Sequence, residues 1–144
     1  MFAVNELKGS FVTGNFLATV LVAQSFVEHS LGAAFGLAGD DKLAQSGFAN
    51  LIDASKMRGW ITTEIADQLH ALRAIRNPYV HPTRGARGYM ERLRGKRFPD
   101  PERLAAEDAE FAVRAVVNWL RSGSPDWAPA RPSQRWPVGA ATAF

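Results

Sequence analysis

The sequence predicts an all-α fold, a four-helix up-and-down bundle carrying an extended C-terminal tail. Three observations predict it. Apolar residues recur at steps of three and four along most of the chain, no stretch alternates apolar with polar residues, and the intervals hold the Gly, Pro, Asp and Thr residues that stop and start helices. A chain of 144 residues is long enough to bury one sizeable core and too short for two ordinary ones. The division expected is a helical domain over 1–121 and a tail containing Pro and Trp over 122–144.

The first periodic segment runs from about Phe11 to Leu37, with Phe16, Val20, Ala23, Val27 and Leu31 in phase, and Gly36 and Gly39 supply its stop. Its apolar run "FLATVLVAQS" follows Lys8, but Glu6 sits where a signal peptide would be basic and the helical rhythm continues past Gln24. Gln24, Ser25, Glu28 and His29 interrupt the run before the roughly 20 apolar residues that a membrane span needs. A cytoplasmic protein with no membrane partner is expected.

The second segment opens at Asp40 or Asp41, either of which can cap a helix, and carries Leu43, Phe48, Leu51 and Ile52 to about Arg58. The third begins at Thr62 or Thr63, with Glu64 in its first turn where a carboxylate suits the helix dipole. From His81 to Pro101 the rhythm lapses into Pro, Gly and Arg, as in a long loop with one short turn around Tyr89 to Leu93. A final helix starts at Pro101, with proline at its first position, and repeats Val113, Val116, Val117 and Leu120 on one face. The tail has four prolines and the tryptophans Trp127 and Trp136, and is expected to be extended.

Chemistry is narrowed by what the chain lacks. It has no cysteine, so disulfides, thiolate metal sites and a cysteine nucleophile are excluded. His29, His70 and His81 are too far apart in sequence for any recognised metal spacing, and no Gly-rich phosphate loop follows a strand. Glu28, His29 and His70 read as surface or packing residues. The net charge of +3 conceals a run of arginines between Arg84 and Arg97, a local field that favours a polyanionic partner.

The stretch "LHALRAIRNPYVHP", Leu69 to Pro82, is the most informative. Counting about 100° per residue from Ile65, Ile61 falls near −40°, Leu69 near 40°, Leu72 near −20° and Arg76 near 20°. Arg76 therefore lies along the apolar stripe of the third helix. Arginine is almost never buried without a partner, so either an anion meets it there or the stripe opens into a cleft or subunit interface. Pro78 lacks an N–H and disfavours helix at Asn77, which predicts a bend or restart between them with Asn77 as cap. Tyr79 reads as core or interface packing. On a straight helix His81 would stand about 140° from Arg76, so the two converge only through a kink or across a dimer axis.

Arg76, Asn77 and His81, with an arginine near the end of a third helix, a polar residue next and a histidine five positions on, resemble the motif of HEPN domains. These are small all-α bundles that include many prokaryotic endoribonuclease toxins. The resemblance covers residues 11–121 as an arrangement of helices and about 14 residues as a motif. It implies a metal-independent endoribonuclease of the toxin or defence type, without cofactor, whose site forms where two third helices meet in a homodimer. An antitoxin partner protein would belong to such a system. Where some members carry a tyrosine two residues after the histidine that an antitoxin nucleotidyltransferase modifies, this chain departs from the pattern with Thr83.

The residue types fit that chemistry. Metal-free RNA cleavage uses the ribose 2′-hydroxyl as nucleophile, a group with pKa near 7 to move protons, and fixed positive charge where the phosphorane gains negative charge. His81 suits the proton transfers and Arg76 the charge, with Asn77 orienting either. The loop residues Arg84, Arg87, Arg92, Arg94, Lys96 and Arg97, interleaved with Tyr89 and Phe98, and Arg73 one turn before Arg76, form the expected RNA-binding set. The competing reading of the loop is a solvated segment paired with Glu102, Glu107, Asp108 and Glu110. The competing function is a catalytically inactive HEPN-like domain that binds RNA or protein.

Overall fold

The computed structural model describes residues 2–80 and 100–122. These residues are helical, with no strand among them: α1 Phe2–Val12, α2 Phe16–Leu37, α3 Asp41–Ala44, α4 Phe48–Met57, α5 Thr63–Val80 and α6 Pro101–Ser122. The expected all-α class is therefore seen, with a finer division than four helices. His81, the basic loop from Arg84 to Arg97 and the tail with Trp127 and Trp136 lie outside the described residues.

The first periodic segment begins later than expected. Asn15 caps α2, its side-chain Oδ1 accepting the Ala18 N–H at 3.3 Å, and the chain before it forms the separate helix α1. Gly39, at φ 80°, ends α2 in the left-handed conformation that glycine adopts without steric cost. The second segment divides into α3 and α4. Asp40 caps α3 by accepting the Leu43 N–H at 3.2 Å, and the chain turns through Ser46 and Gly47 before α4.

Thr62 caps α5, its hydroxyl oxygen accepting the Ile65 N–H at 3.3 Å. A backbone hydrogen bond, followed by one from Thr62, holds the Glu64 carboxyl below its usual range. At α6, Asp100 accepts the Glu102 N–H at 3.0 Å, so Pro101 occupies the first turn as its missing donor predicts.

The core forms around α2, which touches each of the other described helices. Val20, Ala23, Val27 and Leu31 of α2 meet Leu51 and Ile52 of α4, Ile65, Leu69 and Leu72 of α5, and Ala112 and Val116 of α6 in one buried cluster. By length and composition alone α2 could cross a membrane; here its apolar residues form the centre of the helical packing, an arrangement compatible with a soluble protein.

Two contacts fix the end of α2. A Cβ on Gly32 would stand 3.0 Å from the carbonyl oxygen of Ala44, so glycine lets α3 approach this closely without displacing that backbone. Arg58 reaches back to Asp40 at 2.6 Å and lies 4.7 Å from the ring centroid of Phe35 and 5.1 Å from that of Trp60.

The buried face of α6 is rotated from the one expected. Leu104, Asp108, Ala109, Ala112, Ala115, Val116 and Trp119 face inward, while Leu120 is exposed and Val113 half-buried. The alanines let α2 and α5 come close, and Trp119 fills the end of the stripe edge-on to Phe26 at 5.8 Å. Small residues that read as neutral in sequence outweigh larger valines because the space at this interface is narrow.

Candidate functional site

Two hydrogen bonds set the relation between α5 and α6. The Asn118 side-chain amide donates to Gln68 Oε1 at 3.1 Å, and the Tyr79 hydroxyl donates to Asp108 Oδ2 at 2.7 Å. Their partners advance along α5 as they retreat along α6, so the helices run antiparallel. The last turns of α5, which carry Arg76, Asn77 and Tyr79, therefore lie against the first turns of α6.

The apolar stripe of α5 follows the predicted phase: Ile61 at its approach and Ile65, Leu69 and Leu72 along it are buried. Arg76 continues that line and is half-buried. Among the described residues every other lysine and arginine is exposed, and several have anionic partners. Arg58 pairs with Asp40, Arg103 with Glu107 at 3.5 Å and Arg114 with Glu110 at 3.1 Å. No hydrogen bond or ion pair from the described residues reaches Arg76. Of the two alternatives posed by the sequence, a partner among the described residues is absent, and Arg76 stands at the end of the stripe's buried run.

The expected restart of the helix at Asn77 and Pro78 does not occur. Helix α5 continues through both residues to Val80, so Asn77 is an interior, half-buried helical residue rather than a cap. Pro78 costs only the bond that its missing N–H would give to the Ala74 carbonyl. Ala74 is exposed, so water can take that place.

Arg73 is exposed one turn before Arg76, where it adds a second positive charge to this end of the helix. Acids of α6 that could have paired with the basic loop have other bonds as well: Glu107 and Glu110 to arginines of their own helix, and Asp108 to Tyr79. His70 Nε2 lies 2.9 Å from Asp53 Oδ1 on the surface between α4 and α5, and His29 Nδ1 bonds the Ser25 carbonyl at 2.7 Å.

Two cavities among the described residues lie away from this end of α5. One of about 320 Å³ is lined by Glu28, His29, Gln45 and Ser46; another of about 550 Å³ between α1 and α2 is lined by Phe2, Val22, Phe26 and His29. Arg76 borders neither. Among the described residues no three His, Asp or Glu side chains come together as metal ligands would.

Asp108, which the sequence offers only as an acid to pair with the basic loop, is 2% exposed, a burial that reading does not include. The spacing Leu104, Asp108, Ala112, Ala115, Trp119 carries the signal, because it puts the carboxylate in phase with the buried stripe of α6.

No protein-family model, curated protein or solved structure matches this chain.

Proposed function

We propose that the protein is a metal-independent endoribonuclease of the HEPN toxin or defence type, its helices an up-and-down bundle of that kind. The observation that carries this reading is Arg76: a half-buried guanidinium, in line with the apolar stripe of α5, that no anion among the described residues engages. A cation in that position costs hydration, and a phosphate supplied by substrate restores what is lost.

In the proposed reaction the ribose 2′-oxygen attacks the adjacent phosphorus and the P–O5′ bond breaks. The products are a 2′,3′-cyclic phosphate and a free 5′-hydroxyl. His81 takes the proton from the 2′-hydroxyl, and the same group or its counterpart on a second subunit returns one to the leaving oxygen. Arg76 donates to the non-bridging oxygens as they gain charge. Asn77, one residue on, orients the phosphate, and Arg73 with Arg84, Arg87, Arg92, Arg94, Lys96 and Arg97 holds the flanking strand. Two motifs meet across a twofold axis at the end of α5, which gives the exposed end of the stripe its cover.

The test is incubation of the full-length protein with a mixed cellular RNA pool in EDTA, followed by mapping of fragment ends. Cyclic-phosphate ends that disappear in His81→Ala are the expected result. A folded wild type that binds RNA without cutting it would leave an RNA-binding module in place of the enzyme, and one that neither binds nor cuts would remove RNA from the account.

A further inference from the structure

We infer that Asp108 is a positioning residue for Arg76: through the Tyr79 hydroxyl it clamps the proline-containing last turn of α5 onto α6, fixing the backbone from which the guanidinium projects. The inference rests on the reading of Arg76 as a site residue.

A carboxylate that is 2% exposed on the apolar stripe of α6 is costly, and packing alone would be served better by leucine. The hydroxyl of Tyr79 meets it at 2.7 Å, a short bond in a setting shielded from water. The turn it grips needs holding from outside. Pro78 lies inside α5 and removes one of the hydrogen bonds that hold this part of the helix.

Arg76 and Tyr79 are three residues apart, so they share one side of the helix. Anchoring Tyr79 therefore sets the azimuth and height of Arg76 without touching its side chain. A site that must hold a guanidinium to within about 0.5 Å of its target has a use for such a clamp.

The test compares wild-type, Tyr79→Phe and Asp108→Asn full-length chains by amide hydrogen exchange and by RNA cleavage. Asparagine keeps an oxygen able to accept from Tyr79, whereas phenylalanine removes the donor. Tyr79→Phe should speed exchange at Arg76, Asn77, Tyr79 and Val80 by about two- to tenfold, the loss of one hydrogen bond. It should leave the Val27 amide in the core unchanged and lower kcat with little change in KM. Asp108→Asn should keep the wild-type exchange at those four amides.

Unchanged exchange in Tyr79→Phe would overturn the clamp. If wild type cuts no RNA the nuclease reading falls alone, and the exchange measurement still decides the clamp: faster exchange upholds it and unchanged exchange ends it.

Discussion

A half-buried guanidinium that no described residue engages makes opposite demands on stability and on function. At Arg76 the helix would gain from an apolar side chain continuing the line of Leu69 and Leu72. We therefore expect Arg76→Leu to leave stability unchanged or raise it, by up to about 1 kcal/mol, in chemical denaturation. An arginine serving the fold would lose stability instead. Arg76→Lys keeps the charge without the two-pronged donor geometry, so RNA cleavage should fall by about tenfold or more while the fold is retained.

The residue scale is also where sequence reasoning was strongest and weakest. Arg76 stood out because the phase of α5 could be counted from four apolar residues. Asp108 did not, since a carboxylate among Glu102, Glu107 and Glu110 looks like part of a solvated face until its helix is rotated to put alanines inward. Side-chain size at a close interface decided that rotation, and size depends on a neighbour that the local sequence does not name.

Among the elements, helix starts were legible because their chemistry is local. Asp40, Thr62 and Asp100 each satisfy a backbone N–H of the following turn. Glu64 follows the same logic and gives a pH test. Its carboxyl titrates below the usual range in the folded chain, first through a backbone hydrogen bond. A depressed folded value stabilises the protein above the unfolded value, and that stabilisation disappears as pH falls through the folded one. Glu64→Gln should thus be less stable than wild type at neutral pH, and the gap should close on acidification through and below the ordinary glutamate range in thermal unfolding.

Helix ends and breaks were less legible. A bend or restart was expected at Pro78; α5 runs through it without a restart, the proline gives up one bond beside the exposed Ala74, and the Tyr79 contact holds the turn. Helix α1 escaped the periodic reading because its buried residues are only Leu7 and Ser10.

Glycines on two helices separate space from propensity. Gly32→Ala forces a Cβ against the Ala44 carbonyl oxygen and should destabilise by about 1–3 kcal/mol. Gly9→Ala, with nothing within 4 Å of its Cβ, should stabilise by about 0.5–1 kcal/mol. Paired denaturant titrations would show both signs.

At the scale of the whole molecule, the all-α class followed from periodicity, but how the helices close on one another did not. Contacts such as Tyr79 with Asp108, or Arg58 with Phe35, join residues distant in sequence, and no local pattern announces them. The same limit applies to assembly. A site built from two motifs requires a twofold dimer, so the particle mass in solution should be twice the 15.8 kDa of the chain, measured by sedimentation or mass photometry at micromolar concentration.

The most direct test of the central claim is a side-by-side cleavage assay in EDTA of wild type and Arg76→Ala, matched for helical content and particle mass, on one defined single-stranded RNA. The account predicts cutting by wild type with cyclic-phosphate ends and a fall of about a hundredfold or more in the variant. Equal cutting by the two proteins would contradict it, because the guanidinium at the end of α5 would then have no part in the chemistry.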